Sequence, residues 1–192
     1  EPCIEFEDGF EAKQSICVSR SFSEEIADVD VLCEQVANFA SSVAEKLRSQ
    51  SSVACEINIF AFTNRFKESA PQMYGNKLVH LPVPTNDQRT IVTRSVAATR
   101  ELFLDGYGYK KAGVVATHIM PAQNVMHSLF DDTTALEREH RITSVVDAVN
   151  CNFGRGTLKF AIQGSGKVKS HSESQSPHYT TKWSDLPSVT VK

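Results

Sequence analysis

This chain has no Cys-x-x-Cys pair, no apolar run approaching the length of about 18 residues that reads as a membrane helix, and no excess of base. Its five cysteines (Cys3, Cys17, Cys33, Cys55, Cys151) are odd in number and widely spaced. That excludes a disulfide framework or a zinc knuckle and suits reduced thiols in a cytoplasmic protein. A glycine-rich phosphate loop, a Gly-x-Ser-x-Gly elbow and a His-Glu-x-x-His pair are all missing, and the six histidines show no metal-ligand spacing. Asp131 and Asp132 are adjacent, so a helix splays them by about 100° and a strand sends them to opposite faces, which makes a poor shared metal site. No secretory leader pattern opens the chain. It starts at Glu1-Pro2-Cys3 without Met, as a piece of a longer protein would.

What is present is ordinary globular material: 192 residues, 41% hydrophobic and 22% charged. The formal charge of −3 hides an asymmetry. Five of the 23 acids (Glu1, Glu5, Glu7, Asp8, Glu11) fall before Lys13 with no base among them, which leaves 18 acids against 20 bases in the remainder. A surface so weakly basic holds nucleic acid only if its charges are sorted onto one face.

The periodicity then alternates. Residues 15–22 read as a strand that carries Arg20 between the hydroxyls of Ser19 and Ser21, a set suited to phosphate oxygens and equally to a solvated edge. Behind a cap at Asp28 or Asp30, Leu32, Val36, Phe39, Val43 and Leu47 form one helical stripe, which should end near Arg48. Cys55, Ile57, Ile59 and Ala61 alternate with Glu56, Asn58, Phe60 and Phe62 in a second strand that runs out at Thr63 and Arg65. Residues 68–76 read as a loop, and Val79, Leu81 and Val83 as a third strand, which Pro82 and Pro84 confine to an edge. Thr85, Asn86 or Asp87 caps a second helix with two adjacent apolar stripes, and residues 109–119 alternate as a fourth strand opening on Lys110 and Lys111. The order is β-α-β-β-α-β, a split βαβ pattern of the α+β class with both helices on one face.

Beyond it, residues 122–134 break the pattern. A third helix carries Ile142, Val146, Val149 and Phe153 on one side, and residues 157–162 are expected to form a short strand. Residues 164–176 are rich in Ser, Gly, His and Lys, as a linker is, and the end is dense in aromatic and turn residues. The expected organisation is a linker over 1–13, a sheet domain over 14–121, a second linker over 122–134 and a small helix-strand module over 135–192.

Several short matches, in order and spacing, resemble the C-terminal part of the UmuC-type catalytic subunits of Y-family translesion polymerases, the DNA polymerase V type. They are Ser19-Arg20-Ser21-Phe22, Ala44-Glu45-Lys46-Leu47-Arg48, Tyr74-Gly75-Asn76, Pro84-Thr85 with Asp87 and Arg89, Lys111-Ala112-Gly113-Val114, Gly154-Arg155-Gly156-Thr157-Leu158 and the 176–187 block. The resemblance implies that the sheet is the little finger, which grips the primer-template backbone, and that Arg20, Ser21, Thr63, Arg65, Lys110 and Lys111 are its DNA contacts. It implies a sliding-clamp peptide at Met126-His127-Ser128-Leu129-Phe130, where Met126 and His127 replace the family's usual Gln and Leu. It also implies a C-terminal module that meets a processed UmuD-like dimer and RecA, with Tyr179, Trp183 and Leu186 as apolar anchors. The family's catalytic carboxylates and their magnesium ions belong to a palm domain that would precede Glu1, so no catalytic residue and no cofactor are expected here. A protein-interaction module with negligible DNA affinity is the competing reading, and the weak net charge favours it.

Overall fold

The computed structural model describes residues 13–67, 69–126, 133–164 and 176–186. Four strands and two helices alternate: β1 (Ile16–Ile26), α1 (Val29–Ser49), β2 (Ser52–Thr63), β3 (Tyr74–Thr85), α2 (Gln88–Leu102) and β4 (Tyr109–Pro121). The sheet order is β1-β4-β2-β3, and every neighbouring pair is antiparallel. Hence β1 and β2, joined by α1, run parallel with β4 inserted between them, while β3 and β4, joined by α2, run parallel around β2. That is the split βαβ arrangement expected from the sequence.

Cross-strand register decides which residues meet the helices. Ile16, Ala116 and Ile57 share one row, and Val18, Val114 and Ile59 share the next. Those rows pack beneath α1 and α2 in one core with Leu32, Val36, Val43, Leu47, Ile91, Val92 and Val96. Each fully buried aliphatic side chain of this kind contributes about 2 kcal/mol. The α1 stripe is the one its 3- and 4-residue spacings predict, and Asp28 caps it by accepting from the Asp30 amide at 2.7 Å and the Val31 amide at 3.4 Å. Lys46 and Arg48 lie in the last turn, where the helix dipole favours cations. Asp87 caps α2 through the Thr90 amide at 2.7 Å. Tyr109 is fully buried beside Phe103, with ring centroids 5.3 Å apart, and burial pushes its phenol pKa up even though its oxygen accepts from the Leu104 amide.

Pro82 and Pro84 sit on the edge strand, within the irregularity between the Glu56–His80 and Ala54–Thr85 pairs, where no ladder donor is demanded. β3 begins at Tyr74, earlier than the loop expected over 68–76 allowed, because Tyr74, Gly75 and Asn76 continue the ladder opposite Phe62, Ala61 and Phe60.

After Pro121 come a short 3-10 turn, Ala122–Asn124, and the helix α3 (Thr133–Phe153). The short strand expected over 157–162 does not form. Thr157 closes a turn instead, donating its amide to the Gly154 carbonyl and its hydroxyl to the same oxygen at 2.7 Å, and a 3-10 segment, Ala161–Gln163, follows. An isolated apolar run with no ladder partner gains nothing from extension, and Gln163 has a better partner in α1: its carbonyl accepts from Asn38 Nδ2 at 2.9 Å.

Candidate nucleic-acid interface

The face of the sheet turned away from the helices is built from the alternate residues of the same strands. Ser21, Lys111, Phe62 and Tyr74 form one row across all four strands. Ser19, Gly113, Phe60 and Asn76 form the next, and Cys17, Val115, Asn58 and Leu78 the third. A Cβ on Gly113 would stand 2.5 Å from Ser19 Cβ and 2.6 Å from Phe60 Cζ, so the missing side chain is what lets the Phe60 ring lie across β4. Phe60 and Phe62 are nearly parallel (15°) with centroids 6.1 Å apart, and Phe62 and Tyr74 follow at 5.9 Å and 24°.

Cations border these rings. The Arg65 guanidinium lies 5.3 Å from the Phe62 centroid and 5.8 Å from that of Tyr74, and Lys111 Nζ lies 5.8 Å from Phe62. At that range the ring quadrupoles hold both cations close to the sheet. The β2–β3 connection that carries Arg65 is a braced turn. Asn64 Oδ1 accepts from the Phe66 amide at 3.1 Å, and the Gln72 side-chain amide donates to the carbonyls of Asn64, Lys67 and Ala70. Phe66, at its tip, is 95% exposed.

At the other end of the face stands a carboxylate, Glu56. Its Oε1 lies 3.0 Å from His80 Nδ1 and its Oε2 2.8 Å from His118 Nδ1, with the Thr117 hydroxyl donating to Oε2 at 3.3 Å. The acid is thus engaged by two imidazoles. Among the described residues no group of three or more His, Cys, Asp or Glu side chains is arranged to hold a metal ion.

The six expected DNA contacts divide. Arg65 and Lys111 meet over Phe62, and Ser21 stands opposite Lys111 in the same row. Arg20 does not join them: it shares the row of Ala112 and Ala61 on the opposite face and lines a groove between β1 and α1 with Phe39 and Asn38. Thr63 is buried, its hydroxyl accepting from the Met73 amide at 3.0 Å and donating to Gln72 Oε1 at 3.2 Å, so it braces the turn that presents Arg65. Lys110 falls at the irregularity between the Phe62 and Thr63 pairings and donates Nζ to the Ser23 carbonyl at 2.8 Å. The aromatic members, Phe60, Phe62, Phe66 and Tyr74, were not among the sequence-based candidates. Their signal was there, since Phe60 and Phe62 alternate with the core residues Ile59 and Ala61.

Of the expected clamp peptide, Met126 is almost fully exposed, and residues 127–130 lie outside the described residues together with Asp131 and Asp132. Tyr179, Trp183 and Leu186 are all exposed, Trp183 at 89%. Their segment is organised by Asp185, which accepts from the His178 amide at 3.3 Å and pairs with Lys182 Nζ at 3.0 Å. The Lys182 ammonium first, and the His178 amide next, hold the Asp185 carboxyl below the usual range. α3 docks by polar contacts. Asp147 takes a forked pair from Arg48 at 2.6 and 2.7 Å, and Arg48 also donates to the Asn86 carbonyl at 2.9 Å. Thr143 donates to Asp87, and Arg155 pairs with Glu45. Ile142, Val145 and Phe153 point to solvent. Among the described residues no helix is long and apolar enough to cross a membrane.

Residues 13–129 match the impB/mucB/samB family C-terminal domain, and residues 140–189 match a domain of unknown function, DUF4113. Along 187 residues, 97% of the chain, the sequence is 36% identical to Protein UmuC of Salmonella typhimurium, and along 189 residues it is 34% identical to Protein ImpB of the same organism. It spans 44% of the length of each of these relatives. A DNA polymerase IV of Desulfatibacillum aliphaticivorans is 25% identical over 118 residues, 61% of this chain and 28% of that protein. With a domain match over more than half its length and an open sheet face of the kind described above, the chain belongs to the impB/mucB/samB family and corresponds to the C-terminal part of UmuC-like proteins.

Proposed function

We propose that this chain is the non-catalytic C-terminal part of an error-prone translesion DNA polymerase of the UmuC type, acting in the cytoplasm in DNA damage tolerance, and that its open sheet face grips the primer-template. The observation that carries this is the placing of Arg65 and Lys111 over Phe62, with Ser21 beside Lys111 in the same row, on the face the helices leave free. A chain whose net charge is negative nevertheless concentrates cations and hydroxyls there, which is the sorting that backbone recognition needs. Contacts to phosphate carry no sequence information directly, as suits a protein that must track any template and any lesion. Nucleotidyl transfer, with its magnesium ions, belongs to other parts of the parent polymerase.

The C-terminal module recruits partners, a processed UmuD-like dimer and RecA, through Tyr179, Trp183 and Leu186. Their exposure on a turn organised by Asp185 supports that role. The segment from Met126 to Phe130 is proposed to reach a sliding clamp through Leu129 and Phe130.

Binding of the chain to a fluorescent primer-template duplex across a salt series tests the grip. Arg65→Ala and Lys111→Ala should each weaken binding and reduce the salt slope by about one unit. Arg20→Ala, on the other face, should leave both unchanged. Duplex binding indifferent to Arg65→Ala and Lys111→Ala would overturn the assignment of this face.

A further inference from the structure

The open face carries more apolar ring than a phosphate grip uses. Phosphate contact needs Arg65, Lys111 and hydroxyls, yet the same surface exposes Tyr74 at 59%, and the connection that carries Arg65 exposes the adjacent Phe66 at 95%. Phe66 is not the loose end of a floppy loop. Its amide is fixed by Asn64 Oδ1, the following Lys67 amide donates to the Asn64 carbonyl at 3.2 Å, and Gln72 gathers three carbonyls of the same connection. An ordered turn that presents an aromatic ring to water beside a guanidinium is a surface built for a flat, weakly polar ligand carrying negative charge.

From this we infer that the Phe66–Tyr74–Arg65 corner is a base-stacking platform for unpaired nucleotides, which receives single-stranded DNA beside the duplex. A duplex hides the faces of its bases and offers only their edges, whereas a single strand can splay its bases onto rings. Open sheet faces bearing aromatic residues bind single strands in this way, and every base qualifies because every base has a π face. Charge complementarity commits the occupant to nucleic acid rather than to an apolar peptide. Arg65 stands over Tyr74 and Phe62, and Lys111 stands at Phe62, so phosphates that flank a stacked base meet two cations. Glu25 is engaged by Lys67 at 3.3 Å, and Glu56 lies two rows beyond the Phe60–Asn76 pair, held by its two histidines. Phe62 is half-buried and meets both cations, whereas Tyr74 meets Arg65 alone and, with Phe66, is exposed, so Phe66 and Tyr74 are the rings open to a stacked base.

This inference rests on the reading that the open face meets DNA, and three probes of equal length separate the two: an oligo-dT strand, the same strand with abasic sites in place of the bases, and a blunt duplex, each in an anisotropy titration with the whole chain at one low salt concentration. Stacking predicts that the oligo-dT strand binds roughly tenfold tighter than the abasic strand. Phe66→Ala should remove most of that preference and leave the duplex unaffected, Tyr74→Ala should remove part of it, and Phe66→Tyr should restore it. Phe66 is almost fully exposed, so these variants keep the fold, and circular dichroism checks that they do. Equal binding of oligo-dT and abasic strands, or a preference that survives Phe66→Ala, overturns the platform. If the duplex still responds to Arg65→Ala in that case, the grip reading stands without it; a base preference with a duplex indifferent to Arg65→Ala leaves the platform standing and removes the grip.

Discussion

The sheet with its two helices and the segment from α3 to Gln163 are held by different forces. In the first, Leu32, Val36, Leu47, Ile57, Ile59 and Ile91 are fully buried, and the rows beneath α1 and α2 interlock as one apolar core. In the second, the segment meets the body through Thr143, Asp147 and Arg155, with Asp87, Arg48 and Glu45 as their partners, and turns Ile142, Val145 and Phe153 outward. One region is held by the removal of apolar surface from water, which is non-directional and is not weakened by charge screening. The other depends on a few directional pairs, each worth about 0.5 to 3 kcal/mol according to charge and burial. The difference teaches that the two can part company: the second can loosen while the first stays folded.

The largest expected effect strikes the first region. Ile57→Ala removes a fully buried side chain from a central strand and should cost about 2 to 5 kcal/mol in urea unfolding, whereas Val145→Ala on the outer side of α3 should change stability by under about 0.5 kcal/mol. Equal losses at the two positions would erase the distinction drawn here. Gly113→Ala comes next. The added Cβ collides with Phe60 and Ser19, so a loss of about 1 to 3 kcal/mol and a changed environment for the Phe60 ring, read by NMR, are expected.

Asp147→Asn sharpens the comparison from the other side. It strips the carboxylate from an Arg48 side chain that is only 12% exposed, which should weaken docking of α3 by about 1 to 3 kcal/mol. Hydrogen exchange should then rise through residues 143–163 while the strands keep their protection. Salt near 1 M, where the screening length falls to about 3 Å, should shift the same amides in the same direction more weakly. Uniform exchange across both regions would show that the docking is not polar in origin.

The smallest effect concerns Asp185. Its folded pKa is depressed by Lys182 and by the His178 amide, so the order it lends to the turn is present above the ordinary aspartate range of about 3.9 and is lost as pH falls through the folded value. The Trp183 indole resonance should sharpen toward its unstructured position only below that range. A change centred well above that range would show that the Asp185 carboxylate is not what orders the turn.

Much of the fold was legible because the first region obeys simple periods. The α1 stripe, the Asp28 cap, the edge position of the Pro82–Pro84 strand and the alternation of Ile57, Ile59 and Ala61 all follow from local geometry, and each stands in the structure. The site was half legible. Strand parity places Ser21 and Lys111 on one side and Arg20 on the other, and that parity is readable from Phe22 and Ala112 as core residues. Thr63 was not readable as a brace, because its partners Gln72 and Met73 approach it only when the β2–β3 connection closes. The apolar residues of α3 misled for a related reason: a helical stripe says that one side is apolar, and not which side docks.

By itself, then, the order of amino acids determined the strands and helices of the first region, the family and the split βαβ arrangement, because helix caps, proline placement and hydrophobic periods act over a few residues. Tertiary structure decided which charges stand together. The Arg65 and Lys111 cations, one just beyond β2 and the other on β4, are distant in sequence and meet at Phe62 only through the register of β2 with β4, and Arg48 finds Asp147 across a separation of 99 residues. Such meetings depend on how whole layers pack, and no local period encodes them.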